Sequence, residues 1–320
     1  VPELAARWWP VAVALGGAGD APAEGDAGLG EERLPDLVAF EDVVGEVDRE
    51  RTRRRWARSS VGAGLEAVLG VCERGAVRVD LVRAGPHALM AGTTGAGKSE
   101  LLTSWLLQLA LALPPQRLSL VLVDYKGGAA FGALTDLPHT AGLLTDLDPA
   151  LTTRALTSLE AEVGRRERLL AEYGAKDLSC LDAGAAPARL VIAVDEFAAL
   201  ASAHPEVLEG LMRVAAQGRS LGIHLILATQ RPAGAVSPAI RANTAVRVCL
   251  RVLDAADSVD VVGCDEAARL GPRPGRLVVR GVEGAEHMAL QAPWCGDGAQ
   301  VAGIVAELGA AAAGLGRPWR

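Results

Sequence analysis

From Ala76 onward, short apolar runs alternate with longer stretches of helical periodicity, and that rhythm constrains the fold more than any other feature of the sequence. Runs at 77–82, 87–91, 118–123, 190–194, 223–228, 246–250, 276–279 and 287–290 read as strands. The stretches between them read as helices. After Lys98, residues Leu101, Leu102, Trp105, Leu106 and Leu109 recur at spacings of three and four, which puts them on one helix face. A second helix opens with Asp148 as N-cap and Pro149 in the first turn, and carries Leu156, Leu159, Val163, Leu170 and Tyr173 on one stripe. A third runs from about Pro205 to Ala216. Strand and helix in alternation is the pattern of βαβ units, so the expectation is an α/β fold with a mostly parallel central sheet flanked by helices.

At 320 residues the chain exceeds what one ordinary core organises, which points to a large domain with an appendage, or to two domains. Half the residues are apolar and 22% are charged, so the chain folds. Residues 1–35 hold Gly16-Gly17-Ala18-Gly19 and an acidic small-residue run at 20–32, a composition that suggests a linker. The expected division is a small N-terminal appendage packing on the core at 1–74, the large α/β domain at 75–298, and a helix-like segment or linker at 299–320. The longest apolar stretches, 8–18 and 101–113, are short or broken, so no transmembrane helix is expected. Val1 is not an initiator methionine, no signal peptide is legible, and excision from a longer protein fits.

A net charge of −7 argues against a surface built mainly to neutralise phosphate backbones, although a narrow basic pore is compatible with it. The basic run at 49–58 around Trp56 reads as a solvated helix face and gets no functional weight. Five cysteines lie far apart with no zinc spacing and read as small buried hydrophobes in a reducing compartment. His87, His139, His204, His224 and His287 form no ligand constellation in the sequence.

Gly92-Thr93-Thr94-Gly95-Ala96-Gly97-Lys98-Ser99 matches GxxxxGK[ST], with a strand before it and a helix after it. Glycines let consecutive N–H groups point into one concavity, and the positive end of the helix adds to it, so main chain holds a polyphosphate. Lys98 would reach the β- and γ-phosphates, Ser99 would offer its hydroxyl to Mg²⁺, and Glu100 closes the loop. Lysine occurs only at 98, 126 and 176 among 32 basic residues, and a compact ammonium fits between phosphates where a planar guanidinium does not. No role is assigned to Lys126.

The apolar run 190–194 ends in Asp195-Glu196, reading as a buried strand that delivers two carboxylates to the sheet edge where the glycine loop also sits. Asp195 would hold the hydration shell of Mg²⁺, and Glu196 would orient and polarise the attacking water. Gln230, at the end of the strand 223–228, is placed to touch the γ-phosphate as a sensor. With no NKxD string, ATP is the default nucleotide. Arg219 precedes that strand, at the opposite edge of the sheet, and is poorly placed for its own loop. It reads as an arginine finger for a neighbouring subunit or domain.

The strings GTTGAGKSELL (92–102), LVDYKGGAAF (122–131), LPHTAGLLTDLD (137–148), VDEFAAL (194–200), GRSLGIHLILATQRP (218–232) and IRANTAVRVCLRVLDAADS (240–258) resemble the FtsK/SpoIIIE family of motor ATPases. Within it they are most similar to the first ATPase domain of type VII secretion ATPases of the EccC/EssC type. The resemblance implies a RecA-like P-loop NTPase core, a parent chain anchored in the membrane with this domain in the cytoplasm, and further ATPase domains in tandem or in a ring. It also implies membership of a secretion membrane complex, with small helical WXG100-type proteins as cargo of the full-length chain. By motif, Lys98 and Ser99 would be loop residues, Asp195 and Glu196 the Walker B pair, Gln230 the sensor and Arg219 the finger. Two alternatives stand beside it: a motor pumping duplex DNA, and a regulatory module that binds nucleotide with little turnover in isolation.

Overall fold

The computed structural model describes residues 33–125, 130–145 and 149–315, without the side chains of 149–153. Lys126, the N-cap expected at Asp148 and residues 1–32 of the linker expected at 1–35 lie outside the described residues.

In chain order the elements are β1 (Val38–Ala39), α1 (Phe40–Val44), α2 (Arg49–Ala57), β2 (Glu66–Cys72), β3 (Gly75–Asp80), β4 (His87–Ala91), α3 (Lys98–Ala112) and β5 (Leu118–Asp124). There follow β6 (Thr140–Thr145), α4 (Pro149–Glu172), β7 (Arg189–Asp195), α5 (Phe197–Ala203), α6 (Pro205–Leu221), β8 (Ile223–Thr229) and α7 (Pro238–Asn243). The chain ends with β9 (Val246–Leu250), α8 (Ala255–Val262), α9 (Glu266–Arg269), β10 (Arg276–Arg280), β11 (Met288–Gln291), β12 (Pro293–Trp294) and α10 (Gly298–Ala312).

Ten strands form one sheet in the order β3-β2-β11-β10-β9-β4-β8-β7-β5-β6. From β9 to β6 all neighbours are parallel, and from β9 to β3 all are antiparallel. The parallel half is apolar on both faces: β4, β7 and β8 are buried along their whole length. The fold is therefore the expected α/β type with a mostly parallel sheet and an antiparallel extension.

The extension changes the role of α3. Four strand spacings of about 4.8 Å separate β2 from β4, the strand that leads into α3. Yet Gln108 of α3 accepts from the Val68 N–H at 2.7 Å and donates to the Val68 carbonyl at 3.0 Å. The sheet must coil round the helix for that contact to exist. Gln108 supplies the backbone partners that Val68 lacks beside the register shift between Val68 and Gly70. In consequence α3 is buried on every side, including Ser104, Leu107 and Gln108, and not along one stripe.

β2 lies on the amino side of the boundary expected at residue 74. Its hairpin with β3 straddles residue 74, so part of the segment read as an appendage lies inside the central sheet. The basic run is not simply a solvated face either. Arg53 donates through Nε to the Ala311 carbonyl and through a terminal nitrogen to the Ala313 carbonyl, both at 2.9 Å, capping the end of α10. Arg55 bonds the Val44 carbonyl, Glu307 of α10 accepts the Arg49 N–H at 2.8 Å, and buried Trp56 donates to Ala110 of α3 at 3.0 Å. On α4, Tyr173 is exposed just past the helix end, while Val163 and Leu170 are buried as expected. Cys72, Cys249 and Cys295 are buried, but Cys180 is exposed and Cys264 half-buried. Among the described residues no helix is long and apolar enough to cross a membrane.

Candidate functional site

β4 and α3 place the glycine loop where the sequence puts it, at the carboxyl edge of the parallel strands. Gly95 and Gly97 adopt φ of +77° and +96°. Gly97 is glycine for a second reason: a Cβ there would come within 2.7 Å of the Gly275 nitrogen. The loop is moored on both sides, by Gly92 N–H to the Thr229 carbonyl at 3.3 Å, by Thr93 N–H to the Arg251 carbonyl at 3.0 Å, and by Gly275 N–H to the Ala96 carbonyl at 2.8 Å. Among the described residues the N–H groups of Thr94, Gly95 and Gly97 have no acceptor. The first-turn N–H groups of α3 have none within the helix, as at any helix start. That donor set suits a polyphosphate.

The acids reach the same edge. Asp195 ends β7 and is buried, and its carboxylate pairs with the buried ammonium of Lys98. Glu196, also buried, sits in the left-handed region at φ +59° and caps α5. Its carboxylate accepts from the Thr229 hydroxyl at 3.0 Å and from the Gln230 N–H at 3.2 and 3.3 Å. The Gln230 side-chain oxygen accepts from the Thr94 hydroxyl at 2.9 Å. A chain of polar contacts thus runs from the acid through residue 230 into the glycine loop. Glu196 also lines a separate cavity with Arg231 on the far side of Gln230.

Two neighbouring cavities of about 660 and 540 Å³ open on the loop and share Ser99, Glu100 and Trp294. The smaller also holds Asp124 and Asp195. Asp124 is a site residue that the sequence reading passed over. It ends β5 in register with Asp195 on the adjacent strand, is fully buried, and accepts the Ala130 N–H at 2.8 Å. The signal was present: an apolar run ending in an acid, the same pattern that singles out Asp195. Ser99, Asp124 and Asp195 form a hard-oxygen donor set of the kind Mg²⁺ prefers.

Arg219 is not part of this assembly. It is exposed on the last turn of α6, at the amino edge of β8, and a seven-residue strand spans about 20 Å.

One expectation is corrected here. Cys264, Glu266 and His287 bring their ligand atoms within 4.8 Å of one another. Each already has a partner: the Cys264 thiol donates to Glu266 at 3.0 Å, and His287 Nε2 bonds the Val262 carbonyl at 3.1 Å. Burial and the Glu266 carboxylate push the thiol up to about 11, which keeps it protonated at neutral pH.

The sequence profile of the FtsK/SpoIIIE family matches residues 46–193 and 183–234. The type VII secretion system protein EssC of Staphylococcus aureus is 36% identical over 275 residues, covering 82% of this chain and 18% of that protein. The ESX secretion system protein YukB of Bacillus subtilis is 34% identical over 251 residues, covering 74% of this chain and 17% of that one. The chain therefore spans about a fifth of the length of these relatives. Among solved structures, the cytoplasmic domain of the type VII secretion ATPase EccC of Thermomonospora curvata superposes with a TM-score of 0.74 at 27% identity, over 85% of this chain and 34% of that one. The conjugation coupling protein TcpA with ATPγS shares the fold, with a TM-score of 0.67 at 24% identity over 86% of this chain and 75% of that one. A glycine loop moored between parallel strands, acids at the same sheet edge and a profile match over more than half the chain lead to one conclusion: this protein belongs to the FtsK/SpoIIIE family of P-loop ATPases.

Proposed function

We propose that the chain is the ATP-binding and ATP-hydrolysing motor domain of a longer type VII secretion ATPase, its first ATPase domain, anchored through its parent chain to a membrane complex that exports small helical proteins. The contact chain Glu196–Gln230–Thr94 carries this reading, because it joins the residue suited to activate water to the loop suited to hold the triphosphate.

In this reading the N–H groups of Thr94, Gly95, Gly97 and the first turn of α3 hold the β- and γ-phosphates, and the phosphate oxygens replace Asp195 as the anionic partner of Lys98. Mg²⁺, when bound, neutralises charge between the same two phosphates. Ser99 would hold it directly, and Asp195, with Asp124 beside it, through water. Glu196 takes the proton of the attacking water, and the Thr229 hydroxyl and the Gln230 N–H orient its carboxylate for that task. Gln230 reports the state of the γ-phosphate through Thr94. Arg219 stabilises transition-state charge in a neighbouring site, so a dilute monomer turns over slowly.

The test is ATPase rate against protein concentration. Wild-type rate per subunit should rise with concentration, and Arg219→Ala should stay flat. Glu196→Gln retains acceptors for Thr229 and Gln230, so it should bind ATP and hydrolyse it at least about a hundredfold more slowly. A Glu196→Gln protein that hydrolyses at the wild-type rate overturns the assignment of the base. Stimulation by duplex DNA, declining steeply with salt, would identify DNA as cargo instead.

A further inference from the structure

The larger cavity runs past the glycine loop to a wall that no phosphate needs. That wall is built from two distant pieces of chain. β1 pairs in parallel with β12, Val38 opposite Pro293 and Ala39 opposite Trp294. Val38 and Pro293 point inward, so Leu37, Ala39 and Trp294 share the outer face. Leu37 and Trp294 are 57% and 41% exposed, which is unusual for large apolar side chains among the described residues, and both line the cavity that holds the loop. The segment is held there by an ion pair between Asp36 and Arg273, and by Arg276, which donates to the Pro35 carbonyl at 3.1 Å.

Beside this apolar face lies Gln291, only 3% exposed. Its amide nitrogen donates to the Pro274 carbonyl at 3.1 Å, while Oε1 is buried with no partner among the described residues. An unpaired buried acceptor costs about 1–3 kcal/mol, so such groups mark a place where a donor belongs. Gly275 makes room for the amide, since a Cβ at that position would stand 2.7 Å from Nε2, and the Gly275 N–H bonds the glycine loop itself. Apolar faces, a single buried acceptor and a rigid link to the phosphate-type cradle fit a flat aromatic ring with an exocyclic amine.

We propose that this wall is the nucleobase seat, with adenine against Leu37 and Trp294 and its N6 amine donating to Gln291 Oε1. The proposal rests on the reading of 92–99 as the triphosphate cradle. It makes Gln291 a specificity-determining residue, because a base with a carbonyl at that position would set acceptor against acceptor. It also makes residues 36–39 part of the site, although they lie more than fifty positions before the loop.

The test uses the 320-residue chain and compares ATP, inosine triphosphate and tripolyphosphate by calorimetry. Wild-type protein should bind ATP about tenfold or more tightly than inosine triphosphate. Leu37→Ser and Trp294→Ala, both at exposed positions, should each weaken ATP several-fold and leave tripolyphosphate unchanged. Equal affinity for ATP and inosine triphosphate overturns the seat, as does indifference of ATP binding to both substitutions. If tripolyphosphate itself fails to bind wild-type protein, the cradle reading falls, and the seat with it.

Discussion

Glu196 and His287 are the non-glycine residues with positive φ among those described, and Glu196 sits at the junction of β7 and α5 where the acid must turn back toward β8. A left-handed glutamate costs on the order of 1 kcal/mol, offset here by the bonds its carboxylate accepts from Thr229 and Gln230. Strain kept at a residue of this chemistry fits its place in the proposed mechanism. Gly97 makes a sharper demand, since both its φ of +96° and the approach of Gly275 exclude a side chain. Gly97→Ala should lower Tm by several degrees and weaken ATP at least tenfold, and a variant with wild-type affinity in calorimetry would show that the loop tolerates a shift. At this scale the sequence was informative wherever a residue type is rare for its position. Lys98, Asp195, Glu196 and Gln230 all lie at one sheet edge, as their strings indicate. Asp124 was not singled out although its apolar run ends in an acid as that of Asp195 does, whereas Gln291 carries no local signal, because an amide at a strand end becomes meaningful only once its neighbours are known.

The elements tell a similar story. The strands expected at 87–91 and 246–250 match β4 and β9, and six others shift by at most two residues at an end. β2 and β6 were missed for opposite reasons. Glu66–Cys72 is apolar but interrupted by Gly70, which is there because a Cβ would press within 2.7 Å of Leu290. Thr140–Thr145 is a short edge strand with none of its residues buried, too weak a pattern to separate from a loop. The third helix reaches Leu221 rather than Ala216, so Arg219 belongs to its last turn. Nothing local announces that 37–39 pairs with 293–294. α2 shows most clearly how context rewrites a motif: its Arg53 caps α10, and its tryptophan is a buried link to α3. Trp56→Ala should therefore destabilise the fold by about 3–5 kcal/mol in urea titration. A loss below about 1 kcal/mol would mean the helix is only draped on the surface.

Across the whole molecule, three buried histidines give stability a pH dependence; burial lowers His87, whose Nδ1 accepts the Leu225 N–H while Nε2 donates to the Ala215 carbonyl, as it lowers His139 and His224. His139 donates through Nε2 to the Leu113 carbonyl, and His224 through Nδ1 to the Pro86 carbonyl, while the second nitrogen of each is buried without a partner. Burial lowers the first to about 4 and the second to about 3. Both are neutral in the fold at pH 5, whereas an unfolded histidine titrates near the ordinary value of about 6.5. Below that value the unfolded chain binds a proton at each of these two rings that the native state refuses, so they alone cost up to about 2.7 kcal/mol of stability per pH unit on acidification, and His87 adds to the loss in the same direction. Urea midpoints should fall from pH 7 to pH 5, and His224→Asn should remove one ring's share of the slope, up to about 1.4 kcal/mol per pH unit. Midpoints that do not move would place both rings in contact with water.

The bonds between α2 and α10 join residues 258 positions apart. At roughly 5–20 residues per second, the ribosome makes Arg49 and Arg53 tens of seconds before it makes Glu307 and the Ala311 carbonyl. Arg49 and Arg53 must wait that long for their partners on α10, so this cationic helix stays only partly satisfied while the intervening residues are made. Completion of the domain is then timed by the arrival of its last helix, and a protein cut short before that helix would keep the early segment's charge on display.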